Sequence, residues 1–138
     1  MPTTRIEIIP YLFYSDLPAA LEWLTRAFGF VENMRTGTPS GGLHAEMSMG
    51  GQRIMMGQPV SAGHARVASP RTAGTATMGV FLYLDDVDAH HARAAAAGAE
   101  IERPPHDESY GRTYTARDLD GHPWFFTTPS RQPRPPEG

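Results

Sequence analysis

Three features are scarce or missing in this sequence, and each absence excludes a class of function. None of the 138 residues is cysteine, which excludes disulfide bridges, a thiolate nucleophile and a cysteine-ligated zinc site. Lysine and arginine form no dense cluster and the formal net charge is −3, so we expect no nucleic-acid partner. No apolar run approaches the length of a membrane span, and the polar N-terminus is unlike a signal peptide, so we expect a cytoplasmic protein without a membrane partner.

What the chain does contain is an ordered strand-and-helix unit at residues 8–30. Residues 8–14 are apolar and aromatic, a composition that favours a buried or half-buried strand. Asp16 and Pro18 are typical of the start of a helix, and Gly29 is typical of its end. Leucines and a phenylalanine at spacings of three and four place one apolar face along the predicted helix.

The same unit occurs a second time, 70 residues downstream. Residues 80–84 are again apolar and aromatic, Asp86 is positioned as a helix cap, and Gly98 ends a predicted helix over residues 87–97. Residues of the two copies correspond at this offset, as in Tyr11 with Phe81, Phe13 with Tyr83, Asp16 with Asp86, and His44 with Tyr114. We interpret the pattern as a duplicated half-domain rather than a solenoid repeat.

The organisation along the chain follows from this duplication. Residues 1–57 form a first β-α-β-β-β module and residues 77–128 a second one, in which 99–103 is a short strand and 104–109 an irregular loop. The connector at 58–76 has no periodicity and is interpreted as flexible, either a surface loop or a lid or hinge between the halves. The polar, proline-rich tail at 129–138 is expected to be disordered.

Two segments carry a resemblance to a known family. The segments IIPYLFYSD at residues 8–16 and YGRTYTARDLDGHPW at residues 110–124, within a duplicated βαβββ pattern over residues 5–128, resemble the vicinal oxygen chelate superfamily of glyoxalases, bleomycin-resistance proteins and dioxygenases. The resemblance implies an α+β fold in which two tandem βαβββ modules form curled mixed sheets around a cavity. It also implies a homodimer in which two chains complete each cavity.

The resemblance places four metal ligands at matched strand positions, which in this chain are Ile9, Met55, Gly79 and Phe125. None of these is a usual ligand of a hard or borderline divalent ion, and a lone thioether binds such ions weakly. We therefore expect no metal and no cofactor, which makes the chain most similar to the metal-free bleomycin-resistance-like members.

The remaining candidates are residues that the strand pattern directs toward such a cavity. They are predicted to bind a ligand and comprise Tyr11, Phe13, His44, Glu46, Met55, Phe81, Tyr83, Tyr110, Arg112, Tyr114 and Phe125. The alternative for the aromatic residues is ordinary core packing, and for His44 and Glu46 a solvated strand face. The alternative for Arg112 is a salt bridge, for example to Asp118 or Asp120. We interpret the other histidines, at positions 64, 90, 91, 106 and 122, as surface residues.

Three functions fit these observations. The leading hypothesis is a small-molecule binding protein that sequesters an aromatic or amphipathic compound without metal, as in antibiotic resistance. The second is a lyase, isomerase or dioxygenase in which His44 and Glu46 act as an acid–base pair, with or without a nonstandard metal site. The third is a dimer of the same fold whose cavity has no strong ligand.

Overall fold

The computed structural model describes residues 6–60 and 67–130, which form eight strands and three helices. In chain order these are β1 (Tyr11–Phe13), α1 (Leu17–Phe28), β2 (Val31–Gly37), β3 (Leu43–Met49), β4 (Gln52–Gln58), α2 (Pro70–Ala73), β5 (Val80–Tyr83), α3 (Val87–Ala96), β6 (Glu100–Glu108), β7 (Gly111–Arg117) and β8 (Pro123–Pro129). No helix within these ranges is long and apolar enough to cross a membrane.

The strands form two four-stranded sheets of the same topology. The first has the order β1-β4-β3-β2 and the second the order β5-β8-β7-β6. In each sheet the first strand pairs in parallel with the last, and the remaining pairs are antiparallel. The α+β class and the tandem βαβββ modules predicted from the sequence are therefore confirmed. The first strands, β1 and β5, each pair on one side only and leave the other edge open within the described chain.

The duplication extends to the backbone at the helix starts. Asp16 precedes α1 with φ −137° and ψ 91°, and Asp86 precedes α3 with φ −136° and ψ 90°. Each carboxylate accepts a hydrogen bond from the backbone N–H three residues later, at Ala19 and Ala89. This bond satisfies a donor that the helix itself leaves unpaired. Gly29 closes α1 in the left-handed conformation, with φ 86°.

One core joins the two modules. Helices α1 and α3 contact each other, and Phe28 of α1 lies 5.3 Å from the Trp124 ring and 4.8 Å from the Phe126 ring of the second sheet. These three rings are fully buried, and so are Ala45, Met47 and Met56 of the first sheet. Each sheet therefore turns one face toward this shared core. We refer to the opposite surfaces as the outer faces of the first and second sheets.

Several expectations about the second half need correction. Strand β6 continues through Pro104 and Pro105 instead of ending at residue 103. Proline is tolerated there because β6 is an edge strand, and its register against β7 shifts between Arg103 and His106. Residues 70–73 of the connector form the short helix α2. Residues 61–66 of the connector and 131–138 of the tail, like His64, lie outside the described ranges.

The 70-residue offset fails in β7, so Tyr114 is not the counterpart of His44. Ala45 pairs with Met56 in the first sheet, and Tyr114 pairs with Phe126 in the second. Because Met56 and Phe126 are 70 residues apart, Tyr114 corresponds to Ala45, at an offset of 69. Like Ala45, Tyr114 is fully buried and faces the core. The prediction that Tyr114 lines the same space as His44 is therefore wrong.

Two histidines that we expected at the surface lie inside the protein. His90 on α3 is half-buried and accommodates its polar atoms by contacting the Tyr114 hydroxyl and the Phe28 carbonyl oxygen. His122 is buried in the turn between β7 and β8, where its ring lies 4.8 Å from the Tyr14 ring. His90 has a second histidine beside it on the helix, and His122 follows a turn, so neither belongs to a hydrophobic repeat. The sequence pattern therefore could not assign these two side chains to the interior.

Candidate functional site

The outer face of the first sheet carries an aromatic pair and a histidine. The alternation along β1 turns Leu12 into the core and leaves Tyr11 and Phe13 outside, with their rings stacked 4.9 Å apart. The Tyr11 hydroxyl and His44 Nδ1 lie 2.8 Å apart, which connects β1 to β3 across the sheet. Tyr11 lies over Gly57, where an added Cβ would be 3.2 Å from its ring. The lack of a side chain at Gly57 thus makes room for the Tyr11 ring.

Glu46 lies on the same face but belongs to a different cluster. One carboxylate oxygen accepts a hydrogen bond from Arg53 at 3.0 Å and the other accepts one from Asn33 at 3.2 Å. Arg53 in turn donates to Glu7. Both oxygens of Glu46 are therefore engaged, and no hydrogen bond joins Glu46 to His44. The structure places the two predicted acid–base residues on one face without coupling them.

The outer face of the second sheet is more strongly aromatic. Phe81, Tyr83 and Phe125 are 48%, 61% and 37% exposed, and Tyr110 beside them is 48% exposed. The Phe81 ring lies 5.2 Å from that of Tyr83 and 6.4 Å from that of Tyr110. Because Phe81 pairs with Phe125 and Tyr83 with Thr127, these side chains project from neighbouring strands on one side. We call these four residues the aromatic patch.

Arg112 lies away from this patch. Its guanidinium donates to both carboxylate oxygens of Asp88 on α3, at 3.0 and 3.1 Å, and to Asp107 on β6 at 3.1 Å. Strand alternation places Arg112 on the side of Tyr114, which is the core side. Arg112 therefore forms salt bridges, as the alternative interpretation of the sequence proposed. Its partners are Asp88 and Asp107 rather than Asp118 or Asp120. Its predicted contact with a ligand has no geometric support.

A cleft of about 450 Å³ lies between the open edges of β1 and β5. Its walls come from β1, from the start of β5 and from the connector that includes α2, and we call it the inter-module cleft. Apolar side chains dominate the lining, which includes Tyr11, Phe13, Ala73, Met78, Val80 and also His122. A second opening of about 410 Å³ lies farther along β5 and is lined by Ile8, Phe81 and Tyr83 among others.

A buried polar cluster underlies the inter-module cleft, and sequence analysis missed it. The Asp118 side chain is fully buried and accepts hydrogen bonds from the Tyr14 hydroxyl at 2.6 Å, the Trp124 indole at 3.0 Å and His122 Nδ1 at 2.9 Å. Burial, followed by the charge and hydrogen bond of Asp118, raises the pKa of Tyr14 well above its ordinary value. Tyr14 therefore remains a protonated donor. The spacing of Asp118 and His122 within one turn was the available sequence signal.

The four positions expected for metal ligands do not fit a metal. Met55 and Phe125 pair with Tyr11 and Phe81 on the outer faces, where they contribute a thioether and a phenyl ring. At Gly79 an added Cβ would lie 2.8 Å from the Phe125 ring and 2.9 Å from the Pro123 carbonyl oxygen, so no ligating side chain has room there. Across residues 6–60 and 67–130, histidine and acidic residues form no group of three that could hold a metal ion.

Comparisons with known proteins agree with this architecture. The sequence model of the glyoxalase/bleomycin resistance protein/dioxygenase superfamily matches residues 5–126. An uncharacterised protein of Mycobacterium bovis is 31% identical over 127 residues, which cover 89% of this chain and 83% of that protein.

Two solved structures are similar over nearly the whole chain. TioX from Micromonospora sp. ML1 is 32% identical with a TM-score of 0.72, covering 91% of this chain and 100% of its own. TnmS3, an antibiotic binding protein from Streptomyces sp. CB03234, is 20% identical with a TM-score of 0.70 and covers 93% and 100%.

Proposed function

This chain belongs to the glyoxalase/bleomycin resistance protein/dioxygenase superfamily, and from that premise we propose that it binds and sequesters an aromatic or amphipathic small molecule. The observation that carries the proposal is the aromatic patch, in which three rings of the second sheet and the neighbouring Tyr110 are between 37% and 61% exposed. Tyr11, Phe13 and Met55 extend the apolar surface on the first sheet.

Aromatic rings are the side chains that gain most from a planar ligand. A ring buries a large area on binding, and a well-oriented aromatic pair adds about 0.5–1.5 kcal/mol beyond the area term. A contiguous exposed apolar surface in a folded protein commonly marks a binding site. The proposal includes a homodimer, because aromatic side chains of both outer faces are exposed within the described residues and a second copy would enclose them.

A binding role suits the polar residues better than catalysis does. The catalytic alternative requires Glu46 and His44 to act together as an acid–base pair. Both carboxylate oxygens of Glu46 already accept hydrogen bonds, from Arg53 and Asn33, and His44 is paired with Tyr11 instead. TnmS3, which shares the fold, is an antibiotic binding protein, and this likeness supports the capture of a small molecule by our chain.

The test measures the affinity of a planar fluorescent probe, 8-anilinonaphthalene-1-sulfonate, for four variants. We expect Phe81→Ala and Tyr11→Ala each to weaken binding about fivefold or more, because each removes about 1 kcal/mol of ring contact. His44→Ala removes at most one neutral hydrogen bond and should weaken binding less. Val60→Ala is the matched control, since it truncates an exposed apolar side chain that lines neither the aromatic patch nor the inter-module cleft.

Melting curves must first show that all four variants are folded, because Phe81 also pairs within the sheet. Equal affinities in the Phe81, Tyr11 and Val60 variants would contradict the proposal. A turnover that His44→Ala or Glu46→Gln abolishes, while the aromatic variants retain it, would establish an enzyme instead.

A further inference from the structure

The imidazole of His122 is held in one orientation by a fully buried carboxylate. Asp118 accepts from His122 Nδ1 with both oxygens, at 3.0 and 2.9 Å, and also from the backbone N–H of His122 at 2.9 Å. Tyr14 and Trp124 donate to the same carboxylate. Asp118 therefore acts only as an acceptor, and Nδ1 of His122 must carry a proton to donate to it.

The second ring nitrogen of His122 is left with a lone pair. When Nδ1 of a neutral imidazole is protonated, Nε2 is a hydrogen-bond acceptor. Within the described ranges Nε2 has no hydrogen-bond partner. Every fully buried side-chain nitrogen or oxygen in these ranges does have a partner, so Nε2 must be accessible at the surface. His122 lines the inter-module cleft. The accessible nitrogen is thus an unpaired acceptor on a residue that lines a predominantly apolar cleft.

We propose that His122 is the hydrogen-bond acceptor of the inter-module cleft, and that the cleft binds a compound with a planar apolar body and an acidic O–H group, such as a phenol. The volume of about 450 Å³ suits a small bicyclic compound. Tyr11, Phe13 and Met78 contact its body, while Nε2 of His122 accepts the hydroxyl hydrogen. This inference rests on the proposed function, since Tyr11 and Phe13 belong to both surfaces.

Asp118 makes the acceptor selective. It fixes the ring plane and the tautomer, so Nε2 offers a lone pair to a donor and cannot itself donate to a carbonyl or ether oxygen. A phenol gains a hydrogen bond at this atom. The corresponding methyl ether gains none and also places a methyl group against the nitrogen. The cleft should therefore distinguish two ligands that differ only in this hydroxyl.

The experiment compares 2-naphthol with 2-methoxynaphthalene by fluorescence titration of the full chain at pH 7.5. Wild-type protein should bind 2-naphthol about two- to tenfold more tightly than its methyl ether, the range expected for one neutral hydrogen bond. His122→Asn should bring this ratio close to one. The asparagine amide can still donate to Asp118 but provides nothing at the position of Nε2. His106→Asn makes the same change on β6 outside the cleft and should keep the wild-type ratio.

A second measurement reads the protonation of the His122 ring directly, first without a ligand and then with one. Long-range proton–nitrogen NMR of the imidazoles should show His122 protonated at Nδ1 and unprotonated at Nε2, and the Nε2 resonance should move when 2-naphthol is added. Protonation at Nε2 instead would overturn the inference. So would an unchanged probe ratio in His122→Asn, or no binding of either naphthalene probe. Retained binding of 8-anilinonaphthalene-1-sulfonate through Phe81 and Tyr11 would then show that the proposed function stands without this acceptor.

Discussion

At the scale of single residues, His90 shows how burial sets the chemistry of a side chain. Its Nε2 lies 2.9 Å from the Phe28 carbonyl oxygen, and its ring lies 4.3 Å from that of Phe126. Burial lowers the pKa of His90, and this effect outweighs the hydrogen bond to Phe28, which acts in the opposite direction. The neutral imidazole is therefore the form that fits between α1, α3 and the second sheet.

This lowered pKa predicts a loss of stability in mild acid. As pH falls through about 6.5, the unfolded chain protonates at His90 before the folded chain does, so the free energy of unfolding decreases. The decrease attributable to this residue cannot exceed about 1.4 kcal/mol per pH unit. Urea unfolding between pH 7.5 and 5.5 should show a steeper decrease for wild type than for His90→Gln. The other ionisable groups are common to both proteins, so identical slopes would contradict the prediction.

The residues at the four expected ligand positions predict that the protein works without metal. Ile9, Met55, Gly79 and Phe125 offer no oxygen or nitrogen ligand, and Phe125 fills the space at Gly79. Elemental analysis of the purified protein should find far less than one divalent ion per chain, and EDTA should leave the melting temperature unchanged. One zinc, nickel, manganese or iron per chain would contradict this prediction.

At the scale of elements, the sequence predicted α1, α3 and the βαβββ order of each module, although not the short helix α2. Asp16 and Gly29 mark the limits of α1 because capping depends on local backbone geometry that a short segment encodes. The face of β7 could not be predicted in the same way. Strand β7 lies at an offset of 69 residues from β3, whereas β8 lies at an offset of 70 from β4, so one residue more separates β7 from β8 than the duplication predicts. A shift of one residue moves every side chain to the opposite face.

The candidate site was predictable only where it follows strand alternation. Tyr11, Phe13, Phe81 and Tyr83 lie on the outer faces because alternation along β1 and β5 places them there. Their role in binding stays a prediction. The cluster around Asp118 was not predictable, because its partner Tyr14 is 104 residues away in the chain. Contacts between the modules depend on the packing of the whole core, which no local pattern specifies.

The hairpin between β6 and β7 should be the least tolerant of a methyl group. Gly111 has φ 146°, and an added Cβ would lie close to the Thr128 carbonyl oxygen of β8. We expect Gly111→Ala to reduce the free energy of unfolding by at least about 2 kcal/mol. Gly50→Ala is the matched control, since Gly50 also has a positive φ, 57°, but no atom within 4 Å of an added Cβ.

Gly50→Ala should cost only about 1–2 kcal/mol, the penalty of the left-handed conformation alone. Urea unfolding midpoints of the two variants and wild type provide the comparison. A smaller loss in Gly111→Ala than in Gly50→Ala would show that β7 and β8 are less closely spaced than the structure indicates.

At the scale of the whole molecule, the two modules share one core, and apolar side chains remain exposed on the outer faces of the described chain. Ile6 and Ile8, which precede β1, are 80% and 90% exposed, and Met78, which precedes β5, is 61% exposed. Ile8 lines the same opening as Phe81 and Tyr83, and Met78 lines the inter-module cleft. Burial of apolar surface contributes roughly 25 cal/mol per Å², so a second chain that covers this surface would be stabilised by it.

The last prediction therefore joins assembly to binding. Light scattering at micromolar concentration should give a mass of about twice the 15.1 kDa chain. Ile8→Glu should shift the protein toward the mass of one chain and weaken 8-anilinonaphthalene-1-sulfonate binding in the same variant. A charge at Ile8 cannot be buried against a second chain without a partner, and Ile8 lies at the opening lined by Phe81 and Tyr83. Ser40→Glu, on the exposed β2–β3 turn, should change neither property. If the dye affinity is the same for single and paired chains, each chain's aromatic patch binds alone, and the second copy is no part of the site.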